Sequence, residues 1–316
     1  METTEQQQKV LVIKLSALGD FIQALGPMAA IRKHHKDAHI TLLTTSPFTA
    51  FAEKCGYFDE IWIDSRPGLM NIGGWLSFRQ KLLKAGFDRI YDLQNNDRTA
   101  LYLRLFPKSK RPEWVGAAPG ASHRNDSPER TSGHAFDGHV QTLALAGIKD
   151  IEIDNLGWLE ADLSQFPLKK PYILLVPGSA PQHPQKRWPA ENYAKLAQTL
   201  TTKGFQPVLL GTQAEAETTK QIADLCPESL DLTGKTSLFQ IAALARNAAG
   251  ALGNDTGPMH IIGPTGCPTL VLFSGHSNPV RHAPKGKNIK TIQSVSIEDI
   301  PVEKAYEELK GIISPL

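Results

Sequence analysis

Short apolar runs recur along the chain, each closed by a glycine or polar turn and followed by a stretch whose apolar residues fall at helical spacing. Val10 to Leu15 is apolar except for Lys14, and after Gly19 the segment FIQALGPMAAIRKHH sets Ile22, Leu25 and Ala29 along one helical stripe. The same alternation predicts strands at HITLLTT (39–45), DEIWI (59–63) and DRIYDLQ (88–94). Helices are predicted over Trp75 to Ala85, Thr99 to Phe106 and Ala135 to Ala146. A fresh start follows Pro171. There YILLVPGS (172–179), PVLLG (207–211), Ala249 to Leu252 and TLVLF (269–273) read as buried strands, with helices at Ala190 to Lys203, Ala214 to Leu225 and Ser237 to Asn247. Alternation of this kind predicts α/β architecture with parallel sheets covered by helices on both faces.

The polar, proline-containing stretch Glu160 to Lys170 reads as a linker between two Rossmann-like domains, residues 1–165 and 166–316, expected to face each other across a cleft. The final helix, around Val302 to Ile313, is amphipathic enough to pack on either domain, including back on the first.

Composition narrows the partners. Hydrophobic residues make up 41% and charged residues 21%, with a net charge of +2 and equal numbers of acidic and basic side chains in the first 160 residues. That balance argues against nucleic acid as a partner. Cys55, Cys226 and Cys267 are far apart in sequence, which speaks against a zinc site or a disulfide framework and for a reducing compartment. The start METTEQQQK carries no basic-then-apolar leader and no long apolar span follows, so a cytoplasmic protein is expected.

In doubly wound sheets ligands bind beyond the carboxyl ends of the strands. GNDTGPMH (253–260) lies at such an end. Pro258 suits the first helical position, Asp255 or Thr256 can cap, and Gly257 lets a ligand approach the backbone, so the turn suits an anion such as phosphate. A capped helix after a strand is the alternative. Walker, G-x-G-x-x-G and G-x-S-x-G signatures are absent. Pro264, soon after His260, predicts a short or kinked helix.

GNDTGPMH, together with KRWP (186–189), LTGKTSL (232–238) and KLSALGDFIQALGPMAAIR (14–32), resembles glycosyltransferase family 9, the ADP-heptose:lipopolysaccharide heptosyltransferases. The likeness runs through nearly the whole chain in order. It implies a GT-B fold and inverting transfer from an ADP-sugar, with no cofactor or metal required. The implied partners are the nucleotide-sugar donor and a lipopolysaccharide-core or other lipid-linked acceptor at the inner membrane face.

Site residues follow from the same resemblance. Asp20 matches the catalytic base; an acid stabilising a helix start is the alternative reading. Lys186 matches a lysine on the donor phosphate, where its charge offsets that of the leaving group. Ser179 matches a further phosphate contact, Glu215 an acid on the ribose and Thr236 a contact near the base. Asp255, Thr256, Gly257 and His260 complete the donor set. Gln94 and Arg98 in YDLQNNDR resemble an acceptor-side stretch, though an exposed helix start explains them equally well.

Two further features stand apart. His34 and His35 end a helix, where imidazoles interact well with its dipole, and Arg104, Lys108, Lys110 and Arg111 form a basic set that reads first as a solvated loop, or else as a contact for anionic lipid headgroups or an acidic acceptor sugar. Other readings remain open: a different nucleotide-sugar donor, sugar-nucleotide epimerisation, or a non-catalytic nucleotide-sugar binding protein. Oligomeric state and acceptor linkage are not legible.

Overall fold

The computed structural model describes residues 7–68 and 70–313, so most of the polar N-terminal stretch lies outside the described residues. The chain divides into two compact units, residues 1–152 and 153–316.

Unit 1 runs β1 (Lys9–Ile13), α1 (Leu18–His34), β2 (His39–Thr44), α2 (Thr49–Cys55), β3 (Glu60–Ile63), α3 (Ile72–Ala85), β4 (Arg89–Asp92), α4 (Asp97–Arg104), β5 (Glu113–Gly116), β6 (His123–Arg124), α5 (Glu129–Ser132) and α6 (Ala135–Ala144). Its six strands are all parallel in the order β3-β2-β1-β4-β5-β6. Leu11, Ile13, Leu43, Ile90 and Trp114 pack against Phe78, Leu82, Tyr102 and Leu103 of the covering helices.

Unit 2 repeats the plan with β7 (Tyr172–Val176), α7 (Ala190–Thr202), β8 (Gln206–Leu209), α8 (Ala216–Leu225), β9 (Leu230–Asp231), α9 (Leu238–Asn247), β10 (Gly250–Asn254), α10 (Gly257–Ile262), β11 (Thr269–Ser274), α11 (Pro279–His282), β12 (Ile289–Ser294) and α12 (Val302–Lys310). The order is β12-β11-β10-β7-β8-β9, again all parallel. β7, β10 and β11 are buried along their whole length, which explains why they read as continuous apolar runs instead of alternating ones.

Two expectations are modified. The stretch read as a linker is tied into unit 2 by Gln240 Nε2, which donates to Asp162 O at 3.2 Å, and just before it Arg246 donates to the Leu156 and Leu159 carbonyls. The last helix packs on unit 2, with Ala305 and Leu309 buried in the cluster that holds Trp188 and Tyr193.

In each unit the strand order reverses beside the first strand, between β1 and β4 and between β7 and β10. Adjacent connections there leave toward opposite faces and open a crevice at the carboxyl ends, the usual ligand position in such sheets.

Candidate active site

The predicted donor residues gather at the reversal of unit 2. β10 ends in Asn254, which is fully buried and acts as a junction. Its Nδ2 donates to Pro177 O at 2.7 Å and Gly178 O at 3.3 Å in the loop leaving β7. Its Oδ1 accepts from Trp188 N at 3.2 Å and Tyr193 Oη at 3.0 Å. One carboxamide therefore joins GNDTGPMH to KRWP and to the loop carrying Ser179. Trp188 is locked by donating Nε1 to Ile300 O at 3.0 Å.

This junction brings Lys186 to Asp255. Lys186 Nζ lies 2.7 Å from Asp255 Oδ2, which also accepts from Ser277 Oγ at 2.5 Å. The Asp255 carboxylate is thus spent on a cation and a hydroxyl, and Thr256, in the cap position of α10, makes no side-chain cap bond. Capping by either residue, expected from the octapeptide, does not occur. α10 is six residues long and runs into a 3-10 turn over Gly263–Thr265 that holds Pro264, so the helix is short, as the proline dictates. His260 is buried within α10. Gly253 has a packing role: a Cβ there would come within 2.5 Å of Met259 Sδ and 2.8 Å of Val176 Cβ.

Ser179 is buried, with Oγ donating to His183 O at 2.9 Å and accepting from Arg187 Nε at 3.0 Å. Glu215 closes a capping box, its Oε2 accepting from Thr212 N at 2.8 Å and Thr212 Oγ1 at 2.6 Å. Its side chain lies against Gly178, where an added Cβ would meet Glu215 Cγ at 2.8 Å. Thr236 immediately precedes Ser237, the N-cap of α9, in a loop anchored by Gly234 N donating to Gly211 O at 2.8 Å. The segments that follow β7, β8, β9 and β10 thus carry all eight predicted donor residues. No local pattern reveals the bonds of Asn254, Tyr193 and Ser277, since their partners lie far away along the chain.

Unit 1 gathers the remaining candidates at its own reversal. Asp20 sits in the first turn of α1 and its Oδ2 accepts from Ala17 N at 3.3 Å, a weak bond on a half-buried carboxylate. The loop before it is braced by Gln94, whose Oε1 accepts from Leu15 N at 2.8 Å and Ser16 N at 3.1 Å. Gln94 therefore holds the loop that leads to Asp20 rather than standing free at a helix start. Arg98 lies over the Trp75 ring at 5.8 Å.

Lys14 is buried beneath this loop, donating Nζ to Leu93 O at 3.1 Å. Burial lowers its pKa, and the carboxylates of Asp20 and Asp92 act in the other direction. Burial raises the Asp92 pKa against the N–H groups of Asn95 and Gln94 and the Lys14 charge. The sequence expectation for His35 is corrected: it is buried between Gln8 and Tyr91, and burial, with the neighbouring His34, Arg89 and Arg32, lowers its pKa to about 4. It is a neutral core residue and places no cation at the helix end. Among the described residues no three His, Cys, Asp or Glu side chains are grouped to hold a metal ion.

Two parallel six-stranded sheets, each carrying polar groups at its reversal, give a two-unit α/β fold of the GT-B type. The profile of glycosyltransferase family 9 (heptosyltransferase) matches residues 75–312, and the chain belongs to that family. It is a glycosyltransferase. The matched span holds all the donor-side candidates; Asp20 precedes it. The chain is 26% identical to the lipopolysaccharide core heptosyltransferase OpsX of Haemophilus influenzae, covering 95% of this chain and 88% of that protein. Among solved structures it resembles a family 9 glycosyl transferase from Veillonella parvula, with TM-score 0.79, 21% identity and coverage of 96% and 97%. It also resembles the E. coli heptosyltransferase WaaC with ADP, with TM-score 0.73, 16% identity and coverage of 96% and 99%.

Proposed function

We propose that this glycosyltransferase moves a heptose or related sugar from an ADP-sugar to a lipopolysaccharide-core or other lipid-linked glycan, with inversion at the anomeric carbon. The observation that carries the donor side is the Lys186–Asp255 pair at the reversal of unit 2. It supplies a cation fixed in direction by a carboxylate, suited to a diphosphate whose charge grows as it leaves. The ADP held by the related E. coli heptosyltransferase structure supports the choice of donor, and the similarity to OpsX, a lipopolysaccharide core heptosyltransferase, that of the acceptor. Ser179, Thr256, Gly257 and His260 surround the donor in this reading, Glu215 takes the ribose and Thr236 the region of the base.

Asp20 is the base. As the acceptor oxygen bonds to the anomeric carbon, the Asp20 carboxylate takes the hydroxyl proton, the bond to the diphosphate oxygen breaks, and ADP departs with the electron pair. The weak bond from Ala17 N leaves the carboxylate able to accept that proton. Gln94 keeps the loop in place, and Arg98 stands on the acceptor side. The chemistry requires no metal, and the enzyme works at the cytoplasmic membrane face; no helix among the described residues is long and apolar enough to cross a membrane.

The test is Asp20→Asn, nearly isosteric. It should bind donor normally and lose at least about 10²-fold in kcat, the lower end for a positioned general base. Product NMR from the wild type should show the anomeric configuration opposite to the donor's. ADP should raise the melting temperature where UDP does not. Retention of configuration, or an asparagine variant within a few-fold of wild type, would remove Asp20 from the mechanism.

A further inference from the structure

The Lys186–Asp255 pair of unit 2 has a third member, Ser277, to which the transfer step assigns no work. Asp255 Oδ2 takes two donors, Lys186 Nζ at 2.7 Å and Ser277 Oγ at 2.5 Å. The second distance is that of a hydroxyl donating to a charged carboxylate. Ser277 is 8% exposed and lies in the turn between β11 and α11, so its hydroxyl is spent on the carboxylate and not on solvent.

That turn is braced on every side. Ser277 N donates to Ser274 O at 3.2 Å and Gly275 N to Val295 O at 3.1 Å. Gln293 Nε2, on β12, donates to Ser277 O at 2.9 Å. Asn278 caps α11, its Oδ1 accepting from Val280 N at 3.0 Å. The main chain of Asp255 is itself tied to β11, its N–H donating to Leu272 O at 3.1 Å. The bonds from Gln293 through Ser277 and Asp255 to Lys186 therefore cross β12, β11, β10 and β7 in their order in the sheet.

A lysine by itself aims poorly, since its ammonium rides on a flexible four-carbon stem and its three N–H groups rotate. A carboxylate also turns: the last torsion of an aspartate is broad and roughly two-fold, so either oxygen can face a cation. A second donor fixed in a braced turn removes that freedom. It holds Oδ2 toward Lys186, and the ammonium with it. Asp255 is the acceptor for one N–H of Lys186 Nζ, which leaves two for a ligand.

We propose that Ser277 is a positioning residue for the donor: by holding Asp255 it sets the direction in which Lys186 meets the diphosphate. The inference rests on the donor reading given above and deepens it. Ser277 reaches the diphosphate only through Asp255 and Lys186, so substitutions at Ser277 and Lys186 must be coupled.

The test is a double-mutant cycle on the full chain, with ADP binding read by calorimetry. Ser277→Ala should weaken ADP binding about tenfold, the lower end for a hydrogen bond to a charged group. Ser277→Thr keeps the hydroxyl and should stay within about threefold of wild type. In the Lys186→Ala background Ser277→Ala should cost less than about twofold more, whereas a serine that only shaped the turn would cost the same in both backgrounds. Wild-type affinity in Ser277→Ala, or an equal loss with and without Lys186, would overturn the proposal. The donor reading is judged separately. It fails, and this inference with it, if Lys186→Ala binds ADP as tightly as wild type; it stands, and this inference alone fails, if that variant weakens while Ser277→Ala does not.

Discussion

Asn254→Ala offers a sharp test of how unit 2 assembles its site. The carboxamide is fully buried and makes four hydrogen bonds, two as donor and two as acceptor. Tyr193 Oη has a second acceptor in Val176 O at 3.2 Å and is spared, but Trp188 N and the carbonyls of Pro177 and Gly178 lose this partner. Three net bonds of about 0.5–1.5 kcal/mol each, plus about 1–3 kcal/mol for an orphaned buried N–H, give a loss of about 2.5–7.5 kcal/mol. Asn254→Asp keeps the acceptor oxygen for Trp188 and Tyr193 but turns the other oxygen toward two carbonyl oxygens. Its folded-state pKa is therefore raised above the unfolded value. The carboxylate destabilises at neutral pH, and protonation as pH falls restores a donor toward Pro177, so this variant should gain stability relative to wild type on acidification. Denaturant titration followed by tryptophan emission, with amide exchange of residues 172–179 and 250–255, reads both effects. A cost under about 1 kcal/mol for the alanine variant, or relative loss of stability by the aspartate variant in acid, would refute the junction argument.

Two further outcomes follow from the same physics. His35 and His139 are buried and neutral, burial lowering their pKa values to about 4 and about 3, so below the ordinary value of 6.5 the unfolded chain takes up protons that the folded chain does not. Stability should be intact above that value and fall by about 2 kcal/mol per histidine between pH 7 and 5, the loss continuing toward the folded pKa values; a urea midpoint that stays flat over that window would contradict it. Lys186→Ala should weaken ADP binding by about 1.5–3 kcal/mol in calorimetry, with Lys186→Arg recovering part of it, and unchanged affinity would make the lysine merely a partner of Asp255.

Strand and helix order was legible because the central strands are buried on both faces and leave unbroken apolar runs, as at 172–176 and 269–273. The elements left unread are short or marginal. β5 (Glu113–Gly116) is four residues beside a basic, proline-rich turn, β12 is half-exposed, and β9 is two residues long, so none carries enough period for a pattern. The site motifs were visible as local strings, since turn chemistry and helix starts are local.

What each polar group does was decided by tertiary structure, because its partners are distant in sequence. Asn254 reaches Trp188 across 66 residues, and Gln94 braces Leu15 across 79, a support for the loop of Asp20 that no local pattern shows. Asp255 looked like a helix cap and is instead the anchor of Lys186, 69 residues away. His35 looked like a cation at a helix end and is a neutral buried ring, because only packing sets the desolvation that lowers its pKa. Sequence alone determined the longer elements and their order, which depend on neighbours a few residues apart. The fold decided the pairing of charges and hydrogen bonds, because parallel sheets bring together the ends of strands that the chain keeps tens of residues apart.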